Sequence, residues 1–472
     1  MLGVRVQPWA LRYFATALAS LAIALALMAG GLTYPTTGLF DPTTLAAVHL
    51  VTIGWLSLLM LGALHQFVPV IATRQLLSDR APALTLAGVA GGLALMVVGF
   101  LALPGGPWSG LGPAAAALPT GGAAVVAGVG IALVNLGVTL CRSRPLPLSA
   151  RYVAAGLAFL AATVLMGLTL AFGLAAPTAL PAWLVAPVAG HGLPLHLLAG
   201  IAGWFTLTAM GVALKLLSMF TLAPEERGRA GEAAWALSFG GLTVAWLAGI
   251  GKAFAPGAPL APAETAGLIG AAGGVALFLI DMARMYGARR RRSLELNARF
   301  GAVALAFLGL TLAAWAAAWA AGAPLAAYPP VVYLALFGWL SGLGLSQLYK
   351  IVPFLTWIER YGRRMGRERV PLVQDLVNEP RATPFFAAYF AAVVGGAAGL
   401  ALGQPAVFRL AALVSLGAVA GIGRELLSSR TVEPAPAPPA ARPGVRPPAA
   451  ARGSEAAPAD GEDGVGEAVR RR

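Results

Sequence analysis

The sequence predicts an all-α polytopic membrane protein of twelve transmembrane helices, arranged as three pseudo-equivalent arcs of four. Three observations carry this expectation. Of 472 residues, 58% are hydrophobic and 11% charged, more apolar surface than one water-soluble core can hide. Apolar runs of about 20 residues or more recur along the chain, each long enough to cross roughly 30 Å of hydrocarbon as a helix. Finally, one sixteen-residue window occurs three times without gaps: GWLSLLMLGALHQFVP at Gly54 to Pro69, GWFTLTAMGVALKLLS at Gly203 to Ser218, and GWLSGLGLSQLYKIVP at Gly338 to Pro353. All three begin Gly-Trp, then Leu or Phe, then Ser or Thr. The ninth position is small (Gly62, Gly211, Ser346) and the thirteenth polar (Gln66, Lys215, Lys350). Such a repeat implies a fold with three equivalent parts.

In chain order, the first segment spans about 9–32 behind Arg5 and Arg12; its length and the lack of a small-x-small cleavage site make it a retained helix rather than a signal peptide. Asp41-Pro42 reads as N-cap and first helical residue of the second segment, about 42–72, which carries the first repeat. Segments three to five (about 83–103, 114–140 and 152–175) are plain Ala/Leu/Val/Gly helices. The sixth, about 194–221, starts at Pro194 and holds the second repeat. Segments seven to nine fall near 233–254, 265–286 and 300–321. The tenth, about 330–357, follows Pro329-Pro330 with the third repeat, and the last two lie near 383–402 and 406–426.

Loop charge tests the count independently, since a missed helix would put it out of phase. Arg74 and Arg80, Arg142 and Arg144, Arg227 and Arg229, Arg289 to Arg292, and Arg360, Arg363, Arg364, Arg367 and Arg369 follow the even-numbered segments. The loops after the odd-numbered segments contain no Lys or Arg, except Lys252 at the edge of the seventh. The phase holds throughout, which places both termini in the cytoplasm; the expected location is a bacterial inner membrane. From about Thr431 the chain is Pro, Ala, Arg and Glu, and 431–472 reads as a disordered cytoplasmic tail beyond a 1–430 membrane domain.

The net charge of +14 is mostly Arg between apolar runs or in the tail. Its expected partner is therefore the anionic face of the lipid bilayer, and no nucleic acid is expected. The single cysteine, Cys141, excludes an intramolecular disulfide and a thiolate metal cluster, and the absence of CxxCH excludes covalent c-type haem. No Walker loop, HExxH, GxSxG or carboxylate pair supports a hydrolase or ATPase.

Twelve helices in three groups, with the special helices second, sixth and tenth, resemble subunit I of the haem-copper oxidases and bacterial nitric oxide reductases. The local match is GALHQFVP at Gly62 to Pro69, similar to the Gly-Ala-x-x-x-x-Val-Pro ending of the second helix in the nitric oxide reductase branch. The resemblance covers about residues 9 to 427. It implies a His early in the second helix as a low-spin haem ligand, and His49 sits close to that place. It also implies a His-x-His on the tenth helix, where this chain has no histidine, and copper or iron ligands on the sixth and seventh. The sixth offers His196 with His191 in its approach, and the seventh none. The expectation is thus a subunit I-like protein of a respiratory membrane without a dinuclear centre and without copper. It would hold one haem near the external face for electron transfer or diatomic gas response, beside other respiratory subunits or a cytochrome.

The four histidines are weighed one by one. His49 lies about seven residues into its helix, roughly 10 Å from the external end. It either bonds a neighbouring backbone or Thr44 or Thr52, or ligates haem, or lines a polar pore, because an imidazole at that depth must bond something. His196 has nearly the same offset from Gly-Trp, so the two form the best pair for a single site. His191 reads as preceding the helix and solvated; five helical residues turn about 140°, a poor chelate with His196. The third repeat places Tyr333 where the first has His49, as a core tyrosine or a haem ligand. His65 lies roughly 24 Å deeper than His49 on the same helix. With Gln66, Lys215 and Lys350 it would form an inner polar ring for an anion or propionate, the alternative being lysines that snorkel to the interface. A secondary transporter, or a cofactor-free structural or assembly partner of a respiratory complex, remains the alternative function; a threefold rather than inverted twofold repeat argues against the transporter.

Overall fold

The structure, a computed structural model, describes residues 9–111, 115–143, 145–224, 228–365, 367 and 370–431. Arg5, Arg144, Arg227, Arg369 and the tail from 432 onward lie outside the described residues. The described residues hold twelve helices long and apolar enough to cross a membrane. They are α1 Ala10–Ala29, α2 Pro42–Ala72, α3 Ala81–Ala102, α4 Ala117–Cys141, α5 Leu148–Ala175 and α6 Ala182–Thr221. The second half comprises α7 Gly228–Phe254, α8 Ala261–Gly287, α9 Leu296–Ala320, α10 Pro329–Tyr361, α11 Glu379–Ala401 and α12 Pro405–Thr431. The protein is a multi-pass membrane protein. Its outward faces carry exposed Ile23, Leu84, Val134, Leu165, Ile269 and Val394, which meet lipid rather than water.

Local chemistry explains the helix ends. Asp41 caps α2, its carboxylate accepting the Thr43 N–H at 2.9 Å, and Pro42 opens the first turn where a missing N–H costs nothing. The sixth helix differs from the sequence expectation. It begins at Ala182, not Pro194, and holds both Pro187 and Pro194 in its interior. Proline there removes one backbone bond, a loss that neighbouring helices in a membrane can absorb, so Pro194 does not start a new segment. His191 consequently sits inside α6. The tenth helix likewise runs on to Tyr361, past the last strongly apolar residues.

The three repeat helices form the centre. Within their most apolar stretches 67% of α2, 72% of α6 and 89% of α10 is buried, against at most 44% in the other nine helices. Each departs from α geometry at the same place. Wide π turns, closed by i to i+5 bonds, occupy Leu50–Ser57, Leu198–Leu207 and Leu334–Ser341, bracketing Gly54, Gly203 and Gly338.

Equivalent packing surrounds each repeat glycine. A Cβ on Gly54 would stand 2.6 Å from Ser20 Cβ of α1, one on Gly203 would meet the Phe159 ring of α5, and one on Gly338 the Phe307 ring of α9. Two turns further on, a Cβ on Gly62 would be 2.6 Å from Tyr13 Cβ and one on Gly211 2.7 Å from Tyr152 Cβ. The triplication therefore extends to the helix before each repeat. Close backbone approach at small residues is how membrane helices gain packing energy without a hydrophobic drive between them.

At the core, the tryptophans bind one repeat to the next. Trp55, Trp204 and Trp339 are at most 1% exposed. The Trp55 indole N–H donates to Ser341 Oγ at 2.8 Å, and that of Trp204 to Ser57 Oγ at 3.2 Å. Ser341 and Ser57 pass their own protons to Leu336 O at 2.6 Å and Thr52 O at 2.9 Å, carbonyls five residues back in the π turns. The cycle thus runs from the first repeat to the third and from the second to the first. Its remaining link would join Trp339 to Thr206, but Trp339 Nε1 is buried without a hydrogen-bond partner.

Candidate functional site

His49 and His196 stand on two helices of the triplicated core. His49 Nδ1 bonds Leu45 O in its own helix at 2.8 Å, and its ring lies against Phe100 of α3 with centroids 4.8 Å apart. His196 Nδ1 bonds Thr163 O of α5 at 3.1 Å. A Cβ on Gly167 of α5 would stand 3.0 Å from His196 Cε1, so the ring packs closely over that glycine. The two imidazoles are near enough to influence each other electrostatically. Each ring is thereby held as the Nδ1–H tautomer by a carbonyl, with Nε2 left as the donor nitrogen, the arrangement an iron-ligating histidine adopts. By donor type, two neutral imidazoles of this kind would suit a haem iron.

The other sequence candidates lie elsewhere. His191 is half-buried inside α6, five residues from His196 and about 140° around the helix, so the pair makes no chelate. Tyr333 is buried against Phe337 and Phe408, with ring centroids 4.6 and 5.5 Å away, and its hydroxyl abuts Gly396 of α11. It faces a different side of the core from His49.

That side holds a cavity of about 200 Å³ at the Arg-poor end of the bundle. Leu45, Val48 and Val51 of α2, Leu193 and Leu197 of α6, and Val332, Tyr333 and Leu336 of α10 line it, with Met28, Phe408 and the 33–40 loop closing the sides. No histidine lines it. Val48 faces the cavity while His49, one residue on, turns to α3.

At the Arg-rich end lie the residues of the expected polar ring. His65 is buried, its Nδ1 bonded to Leu61 O at 2.7 Å and its ring 5.9 Å from that of Tyr13. Its Nε2 is buried without a partner. Lys350 instead pairs with Glu295 at 2.5 Å, just before α9, and sits over the Phe220 ring. Gln66 and Lys215 are half-buried, and each interacts with another group. Burial pulls the Glu295 carboxyl upward, but the Lys350 ammonium and the Arg291 guanidinium beside it outweigh that and hold it below the usual carboxylate range.

Sequence reasoning did not find the Trp–Ser links, the π turns, the cavity or the Lys350–Glu295 pair. Only the first had a visible signal, the Ser or Thr two residues after each repeat tryptophan. No model of a known family matches the chain, and no curated protein is similar to it.

Proposed function

We propose that the chain is a haem-copper oxidase subunit I-like protein of a bacterial respiratory membrane, without a dinuclear centre, that binds one haem at His49 and His196. Both termini would face the cytoplasm, with the Arg-rich loops on that side. The role would be electron transfer or diatomic gas response, beside other respiratory subunits or a cytochrome. One observation carries the reading: two imidazoles on repeat helices, within electrostatic reach of one another, each committed through Nδ1 to a backbone carbonyl. When bound, the haem supplies a one-electron couple or an iron that takes a diatomic ligand. Leu45 O and Thr163 O orient the rings, while Phe100 packs against one of them and limits water. Three equivalent core helices with three equivalent π turns support the kinship. The tenth helix, with no histidine, gives no basis for a second haem, and no copper is expected.

A second reading is a cofactor-free structural or assembly partner of a respiratory complex, favoured by the same bare tenth helix. Absorption spectra of the purified protein, oxidised and dithionite-reduced, separate the two. A Soret band lost in both His49→Ala and His196→Ala and kept in His191→Ala supports haem binding. A colourless protein from haem-replete cells overturns it.

A further inference from the structure

The cavity between α2 and α10 is built for something other than the histidine pair. Its volume of about 200 Å³ exceeds the roughly 150 Å³ at which an apolar cavity in a protein stays dry and takes up benzene. The hydroxyls near it do not serve its interior. Thr44 Oγ1 accepts the Tyr34 N–H at 2.9 Å and donates to Gly38 O at 3.0 Å. Tyr333 directs its hydroxyl toward Gly396 of α11, where it is buried without a hydrogen-bond partner. Among the described residues no charged side chain lines the wall. The lip is apolar as well: Phe40 is 61% and Leu325 47% exposed where the cavity meets the Arg-poor surface.

We propose that this cavity binds the uncharged hydrocarbon chain of a membrane-soluble molecule, entering past Phe40 and Leu325. A polar or ionic ligand would leave its groups unpaired against Leu, Val and Phe, whereas a methylene or isoprene chain exchanges one apolar surrounding for another and gains dispersion contacts with walls already in place. Either an isoprenoid quinone tail or a phospholipid acyl chain presents this chemistry. The proposal is independent of haem at His49 and His196.

The test uses the full-length protein in lipid nanodiscs, labelled with a phospholipid bearing a diazirine midway along one acyl chain. Crosslinks are expected at residues 45–51 and 332–337, reduced at least tenfold by Val48→Phe, which fills the cavity. Val332→Phe, on the facing helix, is a second filling variant should the first fail to fold, as judged by its helical circular dichroism. Competition by an isoprenoid benzoquinone identifies a quinone tail as the occupant, and competition by unlabelled phospholipid alone identifies an acyl chain. Labelling that ignores both filling variants, or is confined to the outward faces of the bundle, overturns the proposal. So does a Soret band abolished by Val48→Phe and untouched by His49→Ala, which would put haem in the cavity.

Discussion

The tryptophan cycle makes a differential prediction. Trp55 and Trp339 occupy equivalent places, are both fully buried, and differ in hydrogen bonding: Trp55 donates to Ser341 whereas Trp339 Nε1 has no partner. Replacing either by Phe removes a similar apolar area, so the transfer and cavity costs nearly cancel in the comparison. What remains is the indole N–H. Trp55→Phe discards a made hydrogen bond, worth about 1 kcal/mol net, while Trp339→Phe discards an unsatisfied buried donor that already costs the native state about 1–3 kcal/mol. Trp55→Phe is therefore expected to destabilise the protein by roughly 2–4 kcal/mol more than Trp339→Phe. Unfolding of the two variants in mixed detergent micelles, followed by circular dichroism, reads this difference. Ser341→Ala supplies the control: it orphans the Trp55 N–H for about 1–3 kcal/mol, and combined with Trp55→Phe it should add far less than its cost alone. Equal losses for the two tryptophans, or additive losses in the double variant, would refute the cycle.

Further expectations concern packing, charge and capping. Gly62→Ala should cost about 1–3 kcal/mol by forcing its methyl onto Tyr13, while Gly91→Ala, with nothing within 4 Å of the added Cβ, should be neutral or stabilise by up to about 1 kcal/mol in the same melt. Lys350→Met should cost about 1–2 kcal/mol near neutral pH. Because the folded Glu295 carboxyl is held down, its contribution is complete above the unfolded value of about 4.3 and disappears as pH falls through the folded one. The gap between Lys350→Met and wild type should therefore narrow as melts are taken below the unfolded value, and a gap that widens on acidification would contradict the ion pair. Asp41→Ala should cost about 1 kcal/mol in thermal stability and Asp41→Asn much less, since either side chain can accept the Thr43 N–H.

The architecture was more legible than the site. Hydropathy, loop charge and the Gly-Trp repeat set the twelve helices and the burial of the second, sixth and tenth, because these depend on length and period. The Asp41-Pro42 start was legible for the same reason, being local chemistry. Pro194 misled because a proline reads as a boundary in water but is tolerated inside a membrane helix. His49 and His196 were paired by depth, but their directions were not legible, since facing depends on the π turns below them and nothing in Leu50–Ser57 marks a change from 3.6 residues per turn. Lys350 was read as snorkelling to the interface or as joining a polar ring; its pairing with Glu295 was not legible, because Glu295 lies outside any repeat.

Those π turns have a consequence for how the upper half of each central rod is aimed. Every residue beyond a widened turn is swung about the helix axis relative to the motif beneath it, by about 100° for each residue the turn absorbs. Losing a single residue from the Leu50–Ser57 run would restore ordinary winding and rotate His49 by about that step, away from Phe100. A coil with one loop too many acts here as a rotary adjustment, through which a one-codon change can choose which compartment a side chain addresses.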